Sequence, residues 1–164
     1  MRVKKVYLEN FLSYENLFVE FGDGLNVLVG HNAAGKTNLL ESIYYSSVGK
    51  SARGLRDKEL IRWGANGNAR IRLAVDRAGF NHTVDIALDA QGKKRIALDG
   101  LPITKIGELM GAVCVVFFSP TEMKLVKDSP SDRRRFMDIS ICQRDKNYFY
   151  TLVRYNKLLV QRNK

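Results

Sequence analysis

Apolar and polar residues alternate along VKKVYLENF (3–11) and ENLFVEF (15–21), the two-residue period of half-buried strands, with Ser13-Tyr14 as the turn between them. GDG (22–24) is a second turn, and LNVLV (25–29) is a short apolar run of strand type. The period then changes: Leu39, Leu40, Ile43 and Tyr44 recur at helical spacing through KTNLLESIYYSSV (36–48), and the Ser and Gly residues from Ser46 to Gly49 close it. The first 50 residues therefore predict strand, turn, strand, turn, strand, glycine loop, helix.

Further on, DKELIRWG (57–64) has an Asp start and a Gly stop and predicts a short helix. ARIRLAVDR (69–77) and NHTVDIALD (81–89) alternate around Ala78-Gly79, which predicts a hairpin, and KKRIALDG (93–100) adds a third strand ending in an Asp99-Gly100 turn. ITKIGELMG (103–111) is a helix candidate. AVCVVFF (112–118) is a continuous apolar run, of the kind found in strands buried on both faces, and Cys114 within it reads as a buried small hydrophobe. From Pro130 the chain holds no further Pro or Gly, and its apolar residues recur at three and four. Long helix is expected over 130–164, broken near Asp145–Asn147, with Phe136, Ile139, Leu152, Tyr155 and Leu159 along one stripe. Pro130 suits a helix start and Asp132 its first turn. Tyr148, Phe149 and Tyr150 read as core or arm packing, while the isolated His31, in a variable slot of the glycine loop, and His82, on a predicted strand, are assigned no chemical role.

Charge changes this picture. The 164 residues contain 27 Lys+Arg against 17 Asp+Glu, a net charge of +10, which calls for a polyanionic partner such as nucleic acid. The excess sits in two blocks: residues 50–72, net +5, and residues 133–164, net +7. Lys50, Arg53, Arg56, Lys58 and Arg62 in the first block, and Arg133-Arg134-Arg135 in the second, are the cations placed to meet it. Binding through them is expected to be independent of sequence and steeply weakened by salt, because phosphate contacts carry it and no aromatic-interleaved basic stretch offers base readout. The two cysteines form no CxxC and no Cys/His cluster, which argues against a structural metal and for a reducing compartment. No apolar run reaches the roughly 20 residues of a membrane span or the pattern of a signal peptide, so a cytoplasmic protein is expected.

The chemistry concentrates in Gly30-His31-Asn32-Ala33-Ala34-Gly35-Lys36-Thr37, which fits GxxxxGK[ST] at every position. Gly30 and Gly35 permit the backbone angles that aim several N–H groups at one anion, and the following helix adds the positive end of its dipole. In such a loop Lys36 reaches the β- and γ-phosphates and the Thr37 hydroxyl ligates Mg²⁺. A nest for clustered phosphates suits a nucleoside triphosphate better than a duplex backbone. No NKxD string supports guanine, so ATP is expected. An acid at the end of an apolar strand, which an ATPase needs at its metal, is not found: AVCVVFF runs into Ser119-Pro120, and Asp99 belongs to a turn.

The stretch from Gly24 to Tyr45, GLNVLVGHNAAGKTNLLESIYY, resembles the opening of ABC-type ATPases of the SMC and RecF kind. GKSARGLRDKELIRWG (49–64) and SPTEMKLVKDSPSDRRRFMD (119–138) narrow the resemblance to the RecF family. Thr121 and Asp128 depart from that family's usual acid and glycine, and Leu12-Ser13 from its usual Arg-Asn. The resemblance implies an α/β P-loop NTPase of ABC/SMC-head type: a mixed sheet with the P-loop helix, a small antiparallel β-subdomain around 69–99, and the start of a helical arm. Residues 1–129 would form the N-terminal half of the ATPase domain and 130–164 lead into the arm, while the signature motif and Walker B of the other half are absent from the sequence.

It further implies an ATP-dependent homodimer that binds double-stranded DNA and gap junctions in DNA repair, replication and recombination, with RecO and RecR as partners and RecA assisted indirectly. Gly30, Asn32, Ala33, Ala34, Gly35, Lys36, Thr37 and Asn38 carry over as nucleotide-binding residues, Thr37 also to Mg²⁺, and Arg53 becomes a candidate for nucleotide or DNA contact. With no catalytic acid assigned, ATP binding without appreciable turnover is expected. A small-molecule P-loop kinase and a DNA-binding module with a vestigial loop are the rival readings.

Overall fold

The computed structural model describes residues 1–119 and 130–163. The alternating segments become strands β1 (Arg2–Phe11), β2 (Tyr14–Glu20), β3 (Ala69–Arg77), β4 (Phe80–Leu88), β5 (Lys94–Leu98) and β6 (Leu101–Ile103). They form one sheet in the order β2-β1-β3-β4-β5-β6, antiparallel at every ladder among the described residues. The pleat sends Val6, Leu8, Ile71, Leu73, Val75, Val84, Ile86, Leu88 and Ile96 to one face, where all are buried. Burial of each such side chain stabilises the fold by about 1.5–3 kcal/mol. The β3–β4 turn places Ala78 at φ 54 and Gly79 at φ 86, and the β5–β6 turn places Asp99 at φ 51 and Gly100 at φ 80. Both pairs are two-residue turns with two positive φ values, whose twist matches the strands they join. Asp99 anchors its turn by accepting from the Thr83 backbone N–H at 2.7 Å and by a contact to His82 Nδ1 at 2.8 Å. The His82 bond, followed by the Thr83 amide, holds this carboxyl below the usual range.

Helix α1 (Lys36–Val48) packs beneath β3 and β4. It buries Leu39, Tyr45 and Val48, a face turned from the expected one, for Leu40 is exposed. Three buried serines share this face, and each returns its hydroxyl to the helix itself: Ser42 to Leu39 O, Ser46 to Ser42 O and Ser47 to Tyr44 O. Gly49 ends the helix in the left-handed region, φ 67, its N–H bonded to Tyr45 O at 2.7 Å. Tyr45 is fully buried and donates to Asp57 at 2.7 Å, and burial, then Asp57, pushes its phenol far above the ordinary value. Lys94 completes that cluster, bonding Gly49 O at 2.6 Å and Asp57 at 2.9 Å.

Pro130–Cys142 and Lys146–Arg162 are helices α2 and α3. The break falls where expected, with Asp145 capping α3 by accepting from Asn147 N at 2.8 Å. Of the expected stripe, Ile139 and Leu152 join Tyr148 and Phe149 in a second cluster around Val48, Met110 and Cys142. Phe136 and Tyr155 are exposed.

Four expectations are corrected. The sheet is not mixed among the described residues, because LNVLV enters no ladder: Leu25, Val27 and Val29 are exposed while Leu28 alone packs inward. AVCVVFF is likewise unpaired, and it is not buried on both faces. Val113 is buried, Val115 packs on the core and Phe117 meets the Tyr44 ring at a tilt, while Cys114, Val116 and Phe118 are exposed. An apolar period specifies extended backbone, but a ladder also needs a strand alongside, and among the described residues neither run lies in one. DKELIRWG forms only a 3-10 turn over Asp57–Leu60, because its backbone is drawn onto β1: Leu12 N–H bonds Leu60 O at 2.8 Å and Arg62 N–H bonds Asn10 O at 2.7 Å. ITKIGELMG keeps only a 3-10 turn at Ile106–Glu108, because Leu101–Ile103 is taken by β6.

Candidate functional site

The loop from Gly30 to Gly35 rises from the extended 25–29 segment and feeds directly into α1. Ala33 at φ 66 and Gly35 at φ 91 are left-handed, which turns the chain back on itself so that Ala34 N–H meets His31 O at 3.2 Å. Lys36 folds over this turn, its ammonium donating to Gly30 O and His31 O, both at 2.7 Å. The first N–H of α1 bonded within the chain is that of Leu39, to Gly35 O, which leaves the amides of the first turn without intrahelical acceptors. No acidic residue stands in that turn. An exposed loop, a lysine ammonium at its mouth and an uncompensated helix N-terminus together form an anion seat.

Gly35 is held against the β1–β2 turn. A Cβ there would lie 2.7 Å from Ser13 Oγ and 2.8 Å from Tyr14 Cζ and Oη, at a φ that side chains rarely adopt. Gly35→Ala is therefore expected to destabilise the fold by more than the roughly 1–2 kcal/mol of the left-handed backbone alone and to weaken triphosphate binding. Thermal unfolding and equilibrium nucleotide titration read the two effects, and wild-type values in both would refute the account of this contact.

Behind the loop lies a network not anticipated from the sequence. Glu41 is fully buried, at 0% exposure. Its Oε1 accepts from Ser51 Oγ at 2.5 Å and Ala52 N–H at 3.0 Å, and its Oε2 from Arg53 Nε at 3.2 Å. Arg53 donates onward to Asn38 Oδ1 at 3.0 Å, and Asn38 donates to Ser13 Oγ at 2.8 Å. The network thus runs from the post-helix loop through α1 to the β1–β2 turn that supports Gly35. One signal for it was in the chain: Glu41, Tyr45 and Val48 share a helical face, so an acid sits on the apolar stripe.

The structure brings all the loop residues and Arg53 together. The other basic candidates are dispersed. Arg62 is committed to Glu15 at 3.1 Å, and Arg56 to Glu59 at 2.8 Å, whereas Lys50 and Arg56 line a separate cleft with Arg135. Arg133 and Arg134 are exposed on the first turn of α2. Half of the family-like stretch 119–138, from Pro120 to Ser129 and including Thr121, Glu122 and Asp128, lies outside the described residues.

No three His, Cys, Asp or Glu side chains gather at a metal site among the described residues. The exposed Thr37 hydroxyl, next to Lys36, fits Mg²⁺ held by one protein oxygen with phosphate oxygens and water, the usual arrangement for this ion at nucleotides. No helix of the described residues is long and apolar enough to cross a membrane.

A glycine loop closing on a helix N-terminus, with its lysine at the mouth, defines a P-loop nucleotide-binding domain. The chain belongs to the AAA domain family, whose model matches residues 5–157. Among individual proteins it is similar to the DNA replication and repair protein RecF of Clostridium botulinum (strain ATCC 19397 / Type A), 47% identical over 99% of this chain and 44% of that protein. RecF of Clostridium acetobutylicum is also 47% identical, over 99% of this chain and 45% of its own length.

A solved structure of the recombination mediator protein RecF-ATP in the RecFOR pathway matches with a TM-score of 0.91 at 36% identity, over 99% of this chain and 43% of that one. The SMC head domain from Thermotoga maritima matches at 0.56 and 26% identity, over 66% of this chain and 41% of that one. The chain thus spans less than half the length of the RecF proteins it matches. The RecF resemblance and the ABC/SMC-type fold class are both borne out by these matches.

Proposed function

We propose that this protein binds ATP with Mg²⁺ in the Gly30–Thr37 loop and serves DNA replication and recombinational repair in the manner of RecF. The carrying observation is the loop itself: Lys36 stands at the mouth of an anion seat whose shape suits clustered phosphates. Similarity to a RecF solved with ATP supports the same reading. Gly30, Asn32, Ala33, Ala34, Gly35, Lys36, Thr37 and Asn38 form the nucleotide site, with Thr37 on the metal and Arg53 held beside it by Asn38 and Glu41. ATP drives a homodimer, and the dimer binds double-stranded DNA without sequence preference at gaps and junctions. RecR and RecO are the partners through which RecA is assisted. Residues 1–129 are the first part of the ATPase head, and 130–164 begin its arm. The protein acts in the cytoplasm.

Sedimentation of the protein with ATP and magnesium, with ADP, and without nucleotide tests this reading. A shift from monomer to dimer with ATP alone is expected, together with tighter binding of a fluorescent duplex measured by anisotropy. Absence of ATP binding would leave a DNA-binding module with a vestigial loop, and phosphoryl transfer to a small acceptor would point to a kinase; either result overturns the proposal.

A further inference from the structure

Sixty residues of sequence separate the two basic blocks, yet the fold joins them. One open cleft of about 590 Å³ is walled by the 50–58 segment, by the β4–β5 turn at Gln91-Gly92, and by α2 through Arg135. Five cations line it, Lys50, Arg56, Lys58, Lys94 and Arg135, against the single carboxylate Asp57. That carboxylate is already compensated, by Lys94 at 2.9 Å and by the Tyr45 hydroxyl at 2.7 Å. Arg56 is tied to Glu59. Lys50, Lys58 and Arg135 make no hydrogen bond or ion pair among the described residues, and all three are exposed. The cleft is therefore a place of unbalanced positive charge, facing solvent, with its free cations on two walls, Lys50 and Lys58 on one and Arg135 on the other.

The walls are held in place. Gly92 lies so near the 3-10 turn that a Cβ on it would stand 3.3 Å from both Lys58 N and Lys58 Cβ, which fixes the β4–β5 turn against Lys58. Across the cleft, Gly54 has nothing within 4 Å of where its Cβ would be, so the backbone there is open to a close-approaching group. No aromatic ring lines the cleft among the described residues. It offers nothing for a base to stack on, and its free cations stand on two walls of an open cleft rather than in one phosphate-gripping loop. That combination fits a polymer of separated phosphates and not a second nucleotide.

We propose that this cleft is the seat of the duplex DNA backbone, with Lys50, Lys58 and Arg135 contacting phosphates and Arg56 and Lys94 holding the walls. The proposal rests on the DNA-binding reading above and gives it a surface. It also withdraws Arg53 and Arg62 from direct DNA contact, since one is held by Glu41 and Asn38 and the other by Glu15. A rival surface exists on the outer face of the sheet, where a concavity of about 520 Å³ is lined by Arg70, Arg72 and Arg95. There Arg70 and Arg72 are both spent on Asp85, at 2.7 and 2.8 Å.

The test measures binding of a fluorescent DNA duplex to the protein, with ATP and magnesium, across a salt series. Three proteins are compared: wild type, the triple variant Lys50→Ala/Lys58→Ala/Arg135→Ala, and the triple variant Arg70→Ala/Arg72→Ala/Arg95→Ala. Removing one cation from a phosphate flattens the dependence of log K on log salt by about 0.9, so the cleft variant is expected to lose about 2.7 of slope and at least ~tenfold in affinity at low salt. Its ATP affinity stays at the wild-type value, which shows it folded. Equal binding by wild type and cleft variant, or loss confined to the sheet-face variant, overturns the proposal and leaves DNA binding standing. Failure of wild type to bind duplex DNA, or its preference for an RNA duplex of equal length, overturns the DNA reading itself.

Discussion

Lys36→Ala is expected to lower ATP affinity by about 10- to 100-fold while leaving thermal stability nearly unchanged. In the structure the Lys36 ammonium donates to Gly30 O and His31 O at 2.7 Å. Those carbonyls hold it over the loop, where a β- or γ-phosphate would replace them as acceptor. A hydrogen bond to a charged group contributes about 1.5–3 kcal/mol, and the two carbonyl bonds surrendered offset part of this gain. Since each 1.4 kcal/mol is about tenfold, a net of one to two such steps remains. Stability moves little because the ammonium lies in an exposed loop and alanine leaves no buried group unpaired. Isothermal titration with ATP and magnesium, beside thermal unfolding, reads both quantities. Undiminished affinity in the variant would remove the loop from the nucleotide site. Lys36→Arg is expected to rescue poorly, because the planar guanidinium cannot occupy the place of a compact ammonium between two carbonyls.

Glu41→Ala is expected to have the larger effect on folding, about 3–5 kcal/mol of lost stability. The carboxylate is wholly buried, and its removal leaves the Ser51 hydroxyl, the Ala52 amide and the Arg53 guanidinium without their acceptor. Loss on that scale lowers the melting temperature by on the order of 10 °C in a domain of this size. Glu41→Gln retains one carbonyl acceptor and is expected to fall between alanine and wild type. Nucleotide binding falls in parallel, since Arg53 loses the partner that holds it beside Asn38. A melting temperature within a degree or two of wild type for the alanine variant would show that the network does not bear on the fold.

These two residues also mark where sequence reading succeeds and stops. Lys36 was legible because the whole seat is built from consecutive residues, and eight positions of spacing specify the turn, the lysine and the helix start together. Glu41 sits five residues on, in the same helix, but its partners Ser51, Ala52 and Arg53 come from a loop that returns to it only after the chain folds. Its charge on an apolar stripe was a signal, though it did not say what would neutralise it.

The same division runs through the fold. Alternation located β1 to β5, and paired turn residues located Ala78-Gly79 and Asp99-Gly100, because strand period and left-handed turns are local properties of the backbone. Asp145 likewise marked the break between α2 and α3. Local pattern could not say that LNVLV and AVCVVFF would stay outside the ladders, since pairing depends on which neighbour arrives at an edge. Nor could it foresee that β1 would draw Leu60 and Arg62 out of a helix.

By itself, then, the chain's sequence determined a phosphate-gripping loop, its helix and a set of antiparallel hairpins, all products of short-range spacing and backbone preference. Only the tertiary structure decided that Lys50, Lys58 and Arg135 share one cleft and that Glu41 holds Arg53. The first is a meeting of distant segments, brought about as burial of the sheet's apolar face folds the intervening chain back on itself, and the second depends on the loop after α1 returning to its buried face.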